Sequence, residues 1–138
     1  MIEKHTLIIQ TKNRFDWLNY SLNLYVEYKC RSKIVIIDGS DDEIYLKNSE
    51  LISSLREKLS IEQIKESTSF PEAHKNKNLS LFNYLKNFLN TPYFSHVPDD
   101  DMFFPNFAKT AIDFLENNRE FSAITGIEVN LFWDKNYK

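Results

Sequence analysis

Glycine is nearly absent from this chain of 138 residues, which has two, Gly39 and Gly126, where average usage gives roughly ten. The GxGxxG turn of dinucleotide-binding folds and the GxxxxGK[ST] phosphate loop both need closely spaced glycines. Neither motif can be written anywhere in the chain. Any nucleotide binding by this protein therefore requires another arrangement of groups.

Cysteine and long apolar runs are scarce as well. Cys30 stands alone, so an intrachain disulfide or a cysteine zinc cluster is excluded, and we expect it to fill the core of a protein from a reducing compartment. No apolar stretch approaches the roughly 18 residues of a membrane-spanning helix, and the N-terminal apolar run is too short for a secretory signal. These absences predict a soluble, cytoplasmic protein without a transmembrane segment.

An excess of basic charge is also missing. The chain has 17 Lys and Arg against 20 Asp and Glu, a formal net charge of -3. Proteins that bind nucleic acid by electrostatics concentrate Lys and Arg to displace counterions, so nucleic acid is not an expected partner. A chain of this length has enough surface to bury for one core and too little for two, which predicts a single domain.

Short apolar runs alternate with amphipathic segments along the chain. Strands are predicted at 6–9, 33–37, 61–64, 93–97 and 121–129. Helices are predicted from a capping pair, Asn13 and Asp16, then through 46–59, over 79–89 and from Pro105, and 65–78 is predicted to be a loop. Because the first two strands are apolar on consecutive positions and strands alternate with helices, we expect a three-layer α/β/α sandwich of Rossmann-like type around a mostly parallel sheet.

Polar clusters follow three of the predicted strands, where ligands bind in open parallel sheets. The candidate residues are Thr11, Lys12, Asn13 and Arg14 after the first strand, Asp38, Gly39, Ser40, Asp41 and Asp42 after the second, and Asp99, Asp100 and Asp101 after the fourth. This mixture of basic, hydroxyl and carboxylate groups suits a phosphate with a divalent cation. We therefore expect the three clusters to converge on one site.

The three adjacent carboxylates at 99–101 repel one another unless a counterion compensates them. Mg²⁺ or Mn²⁺ would do so, with Asp99 and Asp101 pointing the same way as its ligands. The alternative is a solvated turn whose negative charge favours the N-terminus of the following helix. The residues leave both interpretations open.

Asp38 ends a very apolar strand, where an isolated buried carboxylate is costly unless it meets a hydrogen-bond donor. A ligand N–H is one candidate donor, and an Asx-turn with Ser40 is an equally good alternative. Gly39 beside it permits close backbone approach or a positive φ. Thr11, Asn13 and Arg14 can equally be helix capping with a solvated arginine, and the basic residues Lys75 and Lys77 can be a solvated loop. The three histidines have no zinc-site spacing, so we expect structural or surface roles for them.

The order of these segments resembles the GT-A-type nucleotide-sugar glycosyltransferases, especially their large family 2. The resemblance rests on TLIIQTKNR at the first strand, IVIIDGSDDE at the second, and SHVPDDDMFFP as a DxD-type motif that opens a helix. It extends from Thr6 to Val129.

The resemblance implies a GT-A fold and a set of site residues. Those near the nucleotide would be Thr11, Asn13, Arg14, Asp38, Ser40, Lys77, Asp99 and Asp100, with Asp38 at the nucleobase. Asp101, with Asp99, would bind Mn²⁺ or Mg²⁺ at the diphosphate. The implied donor is a nucleotide-diphosphate sugar, UDP-sugar favoured, and the acceptor a glycan or a lipid-linked molecule. Surface-glycan assembly would place such an enzyme in the cytoplasm, free or peripheral at the inner face of the membrane.

Family members carry an acceptor-binding half with a catalytic base beyond the segment that matches 121–129. Glu128 and Asp134 sit in no matching motif, so no catalytic residue is assigned. We expect 1–138 to be the donor-binding part of a truncated transferase, or a minimal protein that binds a nucleotide sugar. The alternatives are a non-catalytic α/β module that binds a nucleotide or a partner, and a nucleotidyltransferase-like enzyme.

Overall fold

The computed structural model describes residues 4–66, 86–87 and 89–125. In chain order the elements are β1 (His5–Thr11), α1 (Phe15–Glu27), β2 (Lys33–Asp38), α2 (Asp42–Leu55), β3 (Ile61–Lys65), β4 (Tyr93–Pro98) and α3 (Pro105–Asn117). Strands and helices alternate from β1 to β3, as predicted, and a helix again follows β4.

The four strands form one parallel sheet in the order β3-β2-β1-β4. In its register Thr11 lies beside Asp38, and Gln10 lies beside Pro98. The carboxyl ends of β1, β2 and β4 therefore meet at one edge. The order in which the strands are added to the sheet also reverses there, because β2 lies on one side of β1 and β4 lies on the other.

Both faces of the sheet are buried, which explains the apolar runs without alternation. One face packs against α1 and α2, through Leu7, Ile9, Ile34, Ile36, Leu18, Leu22, Ile52 and Leu55. The other face buries Ile8, Val35 and Ile37 against Ile64 and Leu89. The α/β fold class is thus confirmed. Of the predicted helix over 79–89, which would cover this second face, 86–87 are helical and the rest lies outside the described residues, apart from residue 89.

Two helix predictions need correction. Asn13 does not cap α1: the N-cap residue is Arg14, without a side-chain cap, and Asn13 has a φ of 55°. The second helix runs over Asp42–Leu55 rather than 46–59, with Asp42 and Glu43 in the first turn, where carboxylates interact favourably with the helix dipole. Leu46, the first apolar residue of the predicted helical pattern, is 63% exposed.

The predicted strand over 121–129 is not present at 121–125, and 126–129 lie outside the described residues. The predicted loop over 65–78 begins one residue late, because Lys65 is the last residue of β3. Its positions 67–78 lie outside the described residues as well.

A buried histidine, His5, links two serines near the amino-terminal side of the sheet. His5 is 2% exposed, with Nδ1 2.8 Å from Ser32 Oγ and Nε2 3.0 Å from Ser95 Oγ. Its ring stacks on Phe103 at 5.8 Å. Burial lowers the pKa of His5 to about 4, so the ring is neutral in the folded protein near neutral pH. This is the structural role predicted for it.

His5 should make the fold sensitive to acid. The unfolded chain takes up a proton on this residue near pH 6.5 and the folded protein only near pH 4, so stability falls as the pH drops between them. At pH ~4.5 the loss is about 2 kcal/mol. Urea unfolding of His5→Asn at pH ~7 and ~4.5 should show a fall in the free energy of unfolding between these two pH values that is smaller by about that amount. Burial also lowers the pKa of His96, but this residue is present in both proteins, so its contribution cancels in the comparison. Equal losses in the two proteins would contradict this role for His5.

Candidate functional site

The predicted polar loops meet at the carboxyl edge of the sheet, and a buried hydrogen bond joins two of them. Thr11, the last residue of β1, donates from Oγ1 to Oδ2 of Asp99 over 2.6 Å. Asp99 directly follows β4. This contact therefore spans the point where the strand order reverses, which is where ligands bind in open α/β sheets.

Asp99 is enclosed by groups from three elements. The residue is 2% exposed, and Arg14 Nη1 lies 3.2 Å from its second carboxylate oxygen, Oδ1. Ser21 of α1 donates to its backbone carbonyl over 2.8 Å. Burial raises the pKa of Asp99, opposed by the Thr11 hydrogen bond and the Arg14 charge. Sequence reasoning missed Ser21, although a serine at helical spacing among Leu18, Leu22 and Tyr25 on a core face was a usable signal.

Arg14 ties the next carboxylate to the same place. Its Nη2 donates to Asp100 Oδ2 over 2.7 Å, and this bond lowers the pKa of Asp100 and raises that of Arg14. The guanidinium carbon also lies 5.9 Å from the centre of the Trp17 ring. Asp101 differs from its two neighbours: it is exposed, and its carboxylate makes no hydrogen bond or ion pair within 4–66, 86–87 and 89–125.

Asp38 is fully buried, and the protein itself satisfies its carboxylate. Ser40 N–H donates to Oδ1 over 2.9 Å, which is the Asx-turn that the sequence allowed. Asn48 Nδ2 of α2 and Gln63 Nε2 of β3 donate to Oδ2 over 2.7 and 2.9 Å. The hydrogen-bond donors that the Asp38 carboxylate requires therefore come from the protein itself. This one side chain joins β2 to the turn that follows it, to α2 and to β3.

Sequence reasoning missed Asn48 and Gln63. A weak signal existed for Asn48, because it lies four residues before Ile52 and seven before Leu55, on the buried face of α2. Its Oδ1 atom is buried and has no hydrogen-bond partner among the described residues. Gln63 lies within an otherwise unremarkable short strand, and nothing in the sequence indicates its contact with Asp38.

The loops after β1 and β2 are cross-linked. Asn13 N–H donates to Ser40 Oγ over 2.8 Å, and the Asn13 amide exchanges two hydrogen bonds of 2.9 Å with Asp41. Gly39 N–H donates to the carbonyl of Thr11 over 3.0 Å. Of the two possibilities that glycine offers at this position, a positive φ is not used by Gly39. A Cβ there would meet Glu66 and Lys12 at 3.8 Å, an ordinary contact, so the described backbone does not require glycine at this position.

The acidic loop fits a cation that arrives with phosphate oxygens better than a resident metal centre. No group of three His, Cys, Asp or Glu side chains in the described part of the chain could hold a metal ion. Mg²⁺ commonly uses one or two protein carboxylates and takes its other oxygens from water and phosphate. Asp101 suits this role because its carboxylate is exposed, whereas both oxygens of Asp99 already have protein partners.

Several candidate residues cannot be placed in this geometry. Lys77, predicted near the nucleotide, lies outside the described residues, as do Lys75, Glu128 and Asp134. All other predicted site residues, from Thr11 to Asp101, lie at the same sheet edge.

The fold is an all-parallel α/β sheet flanked by helices, with its acidic loop at the reversal of strand order. It is shared with the GT-A glycosyltransferase TarS of S. aureus, with a TM-score of 0.62, 19% sequence identity and 92% of this chain covered. A structure of TarS residues 1-349 matches with a TM-score of 0.61 and 20% sequence identity, over 84% of this chain. The chain spans 23% and 33% of those two chains. No protein-family model and no curated protein matches the sequence. Among the described residues, no helix is long and apolar enough to cross a membrane.

Asn48 should be a strong stability determinant. Asn48→Ala removes a buried donor to Asp38 and leaves a cavity, so we expect a loss of about 2 kcal/mol in the free energy of unfolding. Asn23→Ala is the matched control, since Asn23 bonds only to Asn19 on the exposed side of α1, and should change stability by less than about 0.5 kcal/mol. Urea unfolding measures both. Similar losses in the two variants would contradict the central place of the Asp38 contacts.

Proposed function

We propose that this chain binds a nucleotide-diphosphate sugar at the carboxyl edge of the sheet, as the donor-binding part of a glycosyltransferase. The carrying observation is the buried Thr11–Asp99 hydrogen bond, which joins a hydroxyl-containing loop to an acidic loop at the reversal of strand order. The fold shared with TarS supports the same proposal.

In this proposal Thr11, Asn13 and Arg14 line the first loop beside the nucleotide. Asp38 is fully buried, so it would support a nucleobase contact indirectly, by holding the Gly39 and Ser40 backbone at the edge of the sheet. Ser40 contributes its hydroxyl, which already accepts from Asn13 N–H. UDP remains the favoured nucleotide on the resemblance of the IVIIDGSDDE segment alone.

Asp99 and Asp100 would lie beside the ribose and the diphosphate. Asp101 would hold Mg²⁺ or Mn²⁺, with Asp99 as the second predicted ligand. When bound, that cation would offset the negative charge that builds on the departing nucleoside diphosphate. The contribution of the chain itself is to fix the position of the acidic loop, which Thr11, Arg14 and Ser21 do through three contacts.

The proposed acceptor is a glycan or a lipid-linked molecule. We assign no catalytic base to the described residues, because the carboxylates of Asp38 and Asp99 are buried and hydrogen-bonded. Asp101 is already assigned to the cation. Within the described part of the chain, the proposal therefore concerns donor binding.

A second candidate function is a partner-binding α/β module whose acidic loop takes no nucleotide. The observation that favours it is the Arg14 guanidinium, which compensates Asp99 and Asp100 without any ligand. The two candidates differ in whether this edge of the sheet binds a nucleotide together with a divalent cation.

Asp101→Asn should separate them. Calorimetric titration with UDP in Mn²⁺ should give saturable heat for the unchanged protein and an affinity at least about 10-fold lower for Asp101→Asn, because a cation ligand is lost. Without metal the variant should be as stable as the parent or slightly more so, because a like charge beside Asp100 is removed.

Glu57→Gln is the matched control for this test. Glu57 is an exposed carboxylate in the turn before β3, at the opposite edge of the sheet, and its replacement should leave UDP affinity unchanged. GDP, ADP and CDP titrated in Mn²⁺ would cover a different base preference. No heat with any of these nucleotides would overturn donor binding and favour the partner-binding module.

A further inference from the structure

We infer that Arg14 acts as a built-in counterion of the acidic loop, which keeps bare divalent cations out and makes cation binding depend on the nucleotide diphosphate. The inference rests on the proposed function, since it concerns regulation of the same site. It assigns Arg14 as a positioning residue whose fixed charge occupies the place that a cation would otherwise take.

The Arg14 guanidinium contacts two carboxylates of the acidic loop at once. Nη1 and Nη2 contact Asp99 Oδ1 at 3.2 Å and Asp100 Oδ2 at 2.7 Å, so one planar group bridges two of the three carboxylates. The contact with Asp100 is a hydrogen bond and that with Asp99 an ion pair, and the fixed plane of the guanidinium lets one side chain make both at once. Trp17, whose ring centre lies 5.9 Å from Arg14 Cζ, flanks the guanidinium.

The carboxylates of the acidic loop differ in whether their oxygens already have protein partners. Thr11 takes one oxygen of Asp99 and Arg14 takes the other, while the Asp101 carboxylate has neither a hydrogen bond nor an ion pair in the described part of the chain. A bare cation would thus find one uncommitted carboxylate, beside a fixed positive charge that repels it. Chelation by Asp99 and Asp101 together requires that Arg14 leave Asp99.

A diphosphate changes this balance. Its oxygens supply the cation ligands that the protein lacks, and they are also partners that a guanidinium binds in a forked geometry. Arg14 can then exchange a carboxylate for a phosphate without losing its charge pairing. Because 40% of the Arg14 side chain is exposed, this exchange needs no opening of the core.

The test is Mn²⁺ binding without nucleotide, followed by the electron paramagnetic resonance signal of free Mn²⁺. Arg14→Gln should bind Mn²⁺ at least about 10-fold more tightly than the parent, because a nearby like charge is lost and two carboxylates are released. Arg14→Lys, which keeps the charge without the fork, should show a smaller gain. With UDP present, the advantage of Arg14→Gln should shrink or reverse.

Lys65→Gln is the matched control, because Lys65 is an exposed cation at the same sheet edge whose ion pair is with Asp42 instead. It changes net charge equally and should leave Mn²⁺ affinity unchanged. An equal gain in Lys65→Gln, or none in Arg14→Gln, would overturn the inference. If Arg14→Gln is too unstable to titrate, melting of Arg14→Lys decides: Mn²⁺ should raise its melting temperature more than that of the parent, and an equal shift would overturn the inference.

The outcomes for the two proposals are separable. UDP binding in Mn²⁺ by the parent, with no Mn²⁺ gain in Arg14→Gln, would leave donor binding standing and remove the counterion role. A Mn²⁺ gain in Arg14→Gln with no nucleotide heat in any variant would support the counterion role and remove donor binding.

Discussion

Carboxylates buried at the ends of parallel strands are the constraint around which this edge of the protein is built. An ionised carboxylate removed from water costs several kcal/mol unless donors replace its hydration. Asp38 meets that cost with three donors from its own turn, α2 and β3. Asp99 meets it with Thr11 and Arg14. Each solution pulls separate chain segments to one place, so satisfying the charges also assembles the candidate site.

The two solutions differ in kind. Asp38 is held by neutral donors inside the fold, which makes it a structural junction between loops and helix. Asp99 is held partly by a charged side chain that is itself 40% exposed and shared with Asp100. The first arrangement is closed and can change only with the fold. The second is reversible at the surface, because an incoming anion can compete for the guanidinium.

The fold could be predicted closely from the sequence, because it follows from local patterns. The four strands begin within one residue of their predicted starts, and the consecutive apolar residues of β1 and β2 indicate burial on both faces. The error at Asn13 has a physical reason: its amide could cap α1 locally or pair with Asp41 across the edge, and only the tertiary structure decides. Leu46 and Asn48 show the same limit, since a weak helical pattern does not fix which side faces the core.

The site was predictable in its position and less so in its bonding. The topology of a parallel sheet brings the residues after β1, β2 and β4 together whatever their side chains are. The partners of each carboxylate are separated from it in sequence, by 10 residues for Asn48 and 25 for Gln63, and no spacing rule reaches them. The sequence pattern set Asp99 and Asp101 apart from Asp100 as cation ligands, whereas the structure divides the three into one buried, one paired and one exposed carboxylate.

That division gives the scarcity of glycine a physical consequence. Glycine-rich phosphate loops bind anions through backbone N–H groups that are already aligned, and their affinity does not need a counter-charge on the ligand side. Here the basic groups Arg14 and Lys65 are each engaged with carboxylates at the edge. In the proposed function, a diphosphate that approaches these carboxylates would bring a cation with it or take Arg14 from them. Under that proposal, selectivity for a metal-loaded anion over a bare one would arise from the electrostatics of the loop itself, without a dedicated anion-binding backbone.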